Sequence, residues 1–379
     1  MEEKARKDRV KGIIIFAIII LVIIVATIFV KTSNIKKSIT TEIYGAVGGG
    51  KENLLADEEV IEIMKTEYGI NVINDGWSNG KLVKNEVVRE DGSKYDFIFF
   101  SDQRFYDYYK LEPNKAAGEA KRDYVLNGSL TLNTPIVIYS WKDVVDCLIK
   151  ENIVTCKDNV YYITDMTKLM NYILEKKKWS DIGLNTIYGY ININSTDPVT
   201  SSPGATYYGL LLSILCDGDV NDTNIDNALE KLKTFYTKSG YMNNTPADLF
   251  ESYLKTGMGG KPMIVDYEKS IIDFANENPD GYAQVKDDIR ILYPVPTIWN
   301  SHCIASLTEN GNTYLEVFDN AKVQQIAWQR YGFRTGVTGG NYDVSSSGVT
   351  GIPQTISSTV PSLKMDTYNK LIDYLSIDN

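Results

Sequence analysis

Helical and strand-like patterns of apolar residues alternate along most of the chain. The segment ADEEVIEIMKTEYG repeats apolar residues such as Val60 and Met64 at helical spacing, and it stops at Gly69, a residue type that commonly ends helices. The apolar runs FIFF and TPIVIYSW indicate buried strands, and MTKLMNYILEKKKW indicates a further helix. Strands that alternate with helices predict an α/β fold with largely parallel sheets.

The N-terminus differs from this pattern. Residues 12–30, GIIIFAIIILVIIVATIFV, are apolar on every face and carry no charge over a length that suits a membrane-crossing helix. Five Lys/Arg side chains precede this segment and three follow it by residue 37, which favours an N-terminus inside the cell. Because no A-x-A-like cleavage site follows, we expect an uncleaved single-pass signal anchor in the cell membrane, with the chain beyond residue 37 outside the cell.

Charge narrows the set of partners. The chain has a net charge of −10, and residues 1–37 contain eight Lys/Arg and three Asp/Glu, so the remainder carries close to −15. A nucleic-acid-binding domain is expected to show a basic footprint. The composition therefore excludes nucleic acid as the expected partner and leaves the ligand open.

Cysteine and histidine usage argues against several kinds of enzyme. Cys147, Cys156, Cys216 and Cys303 form no C-x-x-C motif and are too sparse for a disulfide scaffold. Buried free thiols are favoured, and a Cys147–Cys156 disulfide outside the cell is the alternative. His302, the only histidine, lies in the strand-like run HCIASL, where we expect a hydrogen-bonded structural role. A histidine-based zinc site or a Ser-His-Asp triad is thus disfavoured, and we expect no catalytic residue, metal or cofactor.

Three loops that follow predicted strands are rich in small residues or hydrogen-bond donors. They are GGGK at residues 48–51, SDQ at residues 101–103, and STDPVTSSPGAT at residues 195–206. In α/β sheets, ligands bind beyond the carboxyl ends of strands, where free amides at helix starts favour anionic or oxygen-rich groups. The alternative is that these residues only cap helices, with Ser202 as N-cap and Pro203 at the first helical position. GGGK lacks the spacing of a phosphate-binding P-loop.

Several stretches, taken in order, resemble a known family. They are IYGAVGGGKENLLADEEV, TPIVIYSWKDVVDCLIKENIV, WSDIGLNTIYGYININSTDPVTSSPGATYYGLLLSIL, KPMIVDYEKSIIDF, ILYPVPTIWNSHCIASL and EVFDNAKVQQIAWQRYGFRTG. From about residue 41 to residue 379 the chain is similar to the type II periplasmic binding proteins, the extracellular solute-binding proteins related to molybdate, sulfate and phosphate receptors. It most resembles the branch often found beside von Willebrand A domains.

The resemblance implies a two-lobed α/β fold that follows the N-terminal transmembrane helix. Residues 1–37 would form the cytoplasmic tail and anchor. Residues 38–134 and 298–379 would form lobe 1, and residues 135–297 would form lobe 2, with crossovers near residues 134–135 and 293–297. The helix near residues 321–331 would share a core with the helix near residues 57–68.

The resemblance also implies which residues contact the ligand between the lobes. They are Gly49, Gly50, Lys51, Ser101, Ser140, Thr196, Ser201, Ser202 and Tyr267. Two departures from the anion receptors bear on the ligand. GGGK stands where those receptors usually have hydroxyl groups, and the Glu268 carboxylate would repel an oxyanion unless it points away.

The expected function is noncatalytic binding of a small polar or anionic solute at the outer face of the membrane. As a transport receptor, the protein would pass its ligand to an ABC-type permease. The alternative is a membrane-tethered sensing or interaction module that has kept the fold without transport, and the uncleaved anchor favours that alternative slightly.

Overall fold

A computed structural model describes residues 40–83, 89–111, 125–240, 242–336 and 343–376. The predicted anchor at residues 12–30 lies outside these ranges. Within them, no helix combines the length and the apolar character that crossing a membrane requires.

The described chain alternates strands and helices. The strands are β1 (Thr41–Val47), β2 (Ile70–Gly76), β3 (Phe97–Phe100), β4 (Asn127–Trp141), β5 (Val154–Lys157), β6 (Val160–Ile163), β7 (Met263–Tyr267), β8 (Ile289–Pro294), β9 (Thr297–Ser306), β10 (Arg334–Thr335) and β11 (Thr359–Val360). The helices are α1 (Glu52–Leu55), α2 (Glu58–Glu67), α3 (Asn79–Val83), α4 (Gln103–Leu111), α5 (Lys142–Lys150), α6 (Met166–Leu174), α7 (Ser202–Leu215), α8 (Ile225–Ser239), α9 (Pro246–Gly260), α10 (Lys269–Glu277), α11 (Pro279–Val285), α12 (Glu309–Val317), α13 (Ala321–Tyr331) and α14 (Met365–Ser376).

The strands form two groups that share the long strand β4. In the first group the order is β2-β1-β3-β9-β4, with β1 parallel to both of its neighbours. β4 pairs with β9 as far as Pro135, and from Ile136 it pairs with β7 and β8 in the second group. The result is a two-lobed α/β fold. The exact lobe boundaries stay a prediction.

Parallel pairing is less common than the pattern predicts. β1, β2 and β3 pair in parallel, as do β6 and β8, whereas β4 is antiparallel to β7, β8 and β9. β4 and β9 are the two strands beside the lobe junction, and they run in opposite directions. The expectation of largely parallel sheets is therefore wrong for the strands that join the lobes.

The predicted shared core of α2 and α13 is confirmed. Asp57 caps α2 by accepting hydrogen bonds from the amides of Glu59 (3.0 Å) and Val60 (3.2 Å), and Gly69 lies just beyond the helix with a φ of +67°. The buried face of α2, which includes Val60, packs in the same cluster as Ile326 of α13. Helical spacing in both segments thus buries both apolar faces together.

The second lobe is built around α7, in which every residue from Pro203 to Ser213 is buried. The C-terminal helix α14 packs on this lobe, since Leu371 and Leu375 belong to its core. Lys233 of α8 adds a hydrogen bond of 2.8 Å to the carbonyl oxygen of Leu375. The expectation that residues 298–379 all belong to lobe 1 is therefore wrong for α14, because its apolar face is covered by α7 and α8.

All four cysteines carry free thiols, and Cys156 is the exposed one. The expectation of buried free thiols is confirmed for Cys147, Cys216 and Cys303 and is wrong for the exposed Cys156, and the Cys147–Cys156 disulfide does not form.

Candidate functional site

A cavity with a volume of about 1150 Å³ lies between the lobes. The loops after β1 and β3 form its lobe 1 side, and the start of α7 and the end of β7 form its lobe 2 side. Six of the nine residues that the sequence predicts as ligand contacts line this cavity: Gly49, Gly50, Ser101, Ser201, Ser202 and Tyr267. Their role in binding a ligand stays a prediction.

Lys51 does not reach the cavity. Its side chain is 1% exposed, and its ammonium group donates to the carbonyl oxygen of Gly48 (2.6 Å) and to Ser101 Oγ (2.9 Å) while lying 4.6 Å from the ring centre of Phe99. Burial lowers the pKa of Lys51 to about 7. The side chain therefore links the loop after β1 to Ser101 at the end of β3, and its role in the structure is to position this loop.

The first loop also satisfies one of its own amides. The amide of Gly50, which has a φ of +88°, donates to both carboxylate oxygens of Glu52 at 3.0 and 2.8 Å. Ser101 Oγ donates to the carbonyl oxygen of Gly49 at 2.6 Å. The Gly50 amide is thus used by a carboxylate of the same chain and is not free for an anionic ligand.

Ser140 lies at the far end of the sheet. β4 and β7 are antiparallel, so Ile136 pairs with Tyr267 while Ser140 pairs with Met263. Four residues of strand separate these pairs by about 13 Å. Ser140 is fully buried and donates to the carbonyl oxygen of Pro262 at 3.0 Å. The prediction that Ser140 lies with the other contacts is wrong, because the antiparallel register carries it away from the cavity.

The loop at residues 195–206 combines capping with exposure to the cavity. The N-cap of α7 is Ser201 rather than Ser202, and its hydroxyl makes no cap hydrogen bond. Thr196 Oγ1 instead accepts from the amide of Gly204 at 3.0 Å, and Thr196 is buried outside the cavity lining. Thr196 therefore holds the helix start, and the hydroxyls of Ser201 and Ser202 remain at the cavity.

Asp266 and Tyr267, at the carboxyl end of β7, bring buried polar atoms to the cavity. Asp266 Oδ1 accepts from the amide of Tyr267 at 2.7 Å, whereas Asp266 Oδ2 and the Tyr267 hydroxyl have no hydrogen-bond partner among the described residues. Burial raises the pKa of Asp266 to about 6, although the Tyr267 amide, the nearby Ser270 hydroxyl and the charge of Lys269 lower it. Sequence reasoning missed Asp266.

Asn300 and His302 of β9 are two further lining residues that sequence reasoning missed. Asn300 Nδ2 donates to the carbonyl oxygen of Ser101 at 3.0 Å and lies 3.2 Å from His302 Nε2. Asn300 Oδ1 and His302 Nδ1 have no partner in the described part of the chain, so the expected hydrogen-bonded histidine is confirmed at Nε2 and wrong at Nδ1. Burial holds the pKa of His302 well below its usual value, which keeps the ring neutral. Two polar residues on alternate positions of an apolar strand were the available signal.

Glu268 points away from the cavity. Its carboxylate is fully buried, pairs with the guanidinium of Arg334, and accepts from the Tyr293 hydroxyl at 2.6 Å. The repulsion of an anionic ligand by Glu268 therefore does not arise. The described residues contain no group of three or more His, Cys, Asp or Glu side chains that could hold a metal ion.

Comparisons with known proteins bear on the fold. No protein-family model and no curated protein sequence matches this chain. Solved structures do match. A Bordetella parapertussis protein assigned as an extracellular solute-binding protein has a TM-score of 0.59 and 11% identity, over 88% of this chain and 96% of that one. A Pasteurella haemolytica ferric ion-binding protein A in its apo form has a TM-score of 0.57 and 13% identity, over 89% of this chain and 98% of that one. A Mycobacterium tuberculosis sulfate-binding protein has a TM-score of 0.53 and 11% identity, over 89% of this chain and 100% of that one. At these identities the likeness shows the fold, which is that of solute-binding proteins.

Proposed function

We propose that this protein is a noncatalytic receptor that binds a small solute between its two lobes for transport. The observation that carries the proposal is the cavity at the lobe junction, which is lined by strand ends and loops from both lobes. Its buried polar atoms without partners, on Asp266, Tyr267, Asn300 and His302, are the groups that a polar solute would satisfy.

The proposal includes attachment to the membrane. The apolar residues 12–30 with their basic flanks support a single-pass anchor that leaves the two-lobed part outside the cell. The partner in transport would be an ABC-type permease. One matching structure is of the substrate-binding protein of an ABC transporter and another is described as an ABC transporter, which supports this choice.

Native mass spectrometry of the full chain, purified in a mild detergent, tests the proposal. We expect a bound small molecule that dissociates on mild activation. Ser202→Trp should prevent its retention, because Ser202 is exposed at the cavity and the indole would project into it from the start of α7. The matched control is Ser180→Trp, at an exposed serine outside the lining, and it should retain the molecule. Equal retention by the two variants would contradict binding in the cavity.

A tethered sensing or interaction module is the second candidate, and the uncleaved anchor favours it. A permease gene beside the gene for this chain would support transport, and a neighbourhood without one would support the module.

A further inference from the structure

Carboxylates outnumber ammonium groups in the cavity lining. The acidic lining side chains are Glu251, Asp266, Asp273 and Glu277, and the basic ones are Lys255 and Lys269. Lys255 pairs with Glu251 at 2.5 Å, and Lys269 pairs with Asp273. Both lysines are therefore neutralised within α9 and α10. Asp266 and Glu277 have no ion-pair partner among the described residues.

Asp266 is a buried acceptor at the cavity. Its side chain is 1% exposed, its Oδ1 atom is used by the Tyr267 amide, and its Oδ2 atom accepts no hydrogen bond. A buried carboxylate oxygen without a partner is costly in an isolated protein. A donor supplied by the ligand would remove that cost.

Two features of the first loop that would attract an anion are already occupied. The Gly50 amide donates to the Glu52 carboxylate, and the Lys51 ammonium group lies beneath the loop with its own acceptors. Hydroxyl groups at Ser201 and Ser202 can serve a ligand of either charge, because a hydroxyl both donates and accepts. The charged groups that remain at the cavity are acidic.

The cavity is long and has aromatic walls. Its lining extends from the lobe junction onto α9, α10 and α11, and it includes the rings of Phe105, Phe250 and Phe274. Phe250 and Phe274 pack with ring centres 6.0 Å apart. Aromatic faces attract ammonium groups, and alkyl chains pack on them. The volume of about 1150 Å³ exceeds the typical range of ligand pockets and suits an elongated organic molecule better than a tetrahedral oxyanion.

We propose that the ligand is an organic cation with a protonated amine, which pairs with the free Oδ2 atom of Asp266, and with an alkyl chain that lies along the phenylalanine wall. This inference rests on the proposed function of the same cleft and names its ligand class. Divalent and ferric ions are less suited, since hard cations need several oxygen ligands and Asp266 offers one free oxygen.

The pH dependence of binding supplies a signature of Asp266. Its pKa of about 6 means that the carboxylate is charged at neutral pH and protonated in mild acid. The charged groups that act on it are Lys269 and Asp273 of α10, which pair with each other. An alkyl amine stays protonated throughout this range, so loss of affinity below pH 6 reports on the protein.

Calorimetric titration of the full chain tests the proposal with spermidine and cadaverine, against 1,5-pentanediol, sodium sulfate and calcium chloride. We expect the amines to bind and the uncharged diol not to bind. Asp266→Asn should weaken amine binding by roughly ten- to hundredfold, the usual effect of losing a hydrogen bond to a charged group. Asp146→Asn, at a half-exposed carboxylate of α5 outside the cavity lining, should leave it unchanged. In the unaltered protein, affinity should fall about fivefold from pH 6 to pH 5, in step with the charged fraction of Asp266.

Three results would overturn the inference. One is equal amine affinity in Asp266→Asn and Asp146→Asn, and another is amine binding that Ser202→Trp leaves intact. The third is binding of sulfate or calcium without binding of amines. If Ser202→Trp blocks that sulfate or calcium binding, the receptor function stands and only the ligand class fails. If Asp266→Asn does not fold, the pH series on the unaltered protein decides, since pH-independent affinity contradicts the pairing.

Discussion

The carboxylate of Glu268 and the guanidinium of Arg334 meet at two points, with Oε1 2.6 Å from Nε and Oε2 2.8 Å from Nη2. Both side chains are buried. The Glu268 amide donates to the carbonyl oxygen of Pro135 at 3.1 Å, and Arg334 pairs with Asn133 in β4. The ion pair therefore lies against the stretch of β4 that passes from one lobe to the other.

Arg334→Met should destabilise the protein strongly. Removal of one partner leaves the Glu268 charge buried, at a cost of about 3–5 kcal/mol in the free energy of unfolding. The double variant Glu268→Gln/Arg334→Met should recover part of that loss. Urea unfolding of the full chain measures both. Lys142→Ala, which removes an exposed pair with Asp146, serves as the control and should change little. Equal losses in the single and double variants would contradict a cost that arises from the buried charge.

Asp266→Asn should stabilise the unliganded protein at neutral pH. The pKa of Asp266 is raised from its ordinary value of 3.8 to about 6, so the folded state holds a proton that the unfolded state has released. Stability therefore falls as pH rises through this window, by up to about 3 kcal/mol, and the full cost is present above pH 6. In urea unfolding, the variant should have a higher free energy of unfolding than the unaltered protein at pH 7.5 and nearly the same value at pH 4. A gain of the same size at both pH values would contradict the assignment.

Lys51 should make the stability of the protein rise with pH, in a higher pH range than the fall that Asp266 causes. Its pKa is lowered from 10.5 to about 7, so between these values the unfolded state binds a proton that the folded state lacks. Stability should rise with pH there, by about 2 kcal/mol between pH 7.5 and 9 for this group alone. Comparison of unfolding curves of the unaltered protein and Lys51→Met isolates this contribution. A rise of the same size in Lys51→Met would assign it to other groups.

Thr196→Ala should lower the stability of the protein, whereas Ser201→Ala should not, because the Thr196 hydroxyl caps α7 and the Ser201 hydroxyl only faces the cavity. The Thr196 hydroxyl accepts from the Gly204 amide, so its loss should cost about 1 kcal/mol, the typical effect of removing a helix cap. Ser201 makes no cap hydrogen bond, and its replacement should leave the melting temperature nearly unchanged. Thermal melting of the two variants measures the difference. A larger loss in Ser201→Ala would show that the Ser201 hydroxyl, rather than that of Thr196, caps the helix.

The anchor predicts a protease pattern in intact cells. Added protease should digest the two-lobed part and leave a membrane-embedded fragment that contains residues 12–30, because the bilayer shields that segment. Immunoblotting with an N-terminal tag detects the fragment. Release of a soluble mature protein that begins near residue 31 would contradict the anchor.

Local pattern alone predicted much of this protein. Helical spacing identified α2, and the resemblance to the solute-binding proteins, which depends on the order of segments, indicated α13 and the two-lobed fold. The loops that follow strands placed Ser101 and Ser201 at a common cavity, because strand ends meet at one edge of a sheet. These features depend on neighbouring residues or on chain order, and both are visible in a sequence.

Long-range pairing decided the rest. The antiparallel register of β4 and β7 carries Ser140 away from Tyr267, and Glu268 points inward because Arg334, far along the chain, meets it. The burial of Asp266 likewise depends on which helices cover the end of β7. The sequence determined the elements and the loops that line the cavity, whereas only the tertiary structure decided which charges face it. The physical reason is that the partner and the burial of a charged group are set by residues that the chain brings together only on folding.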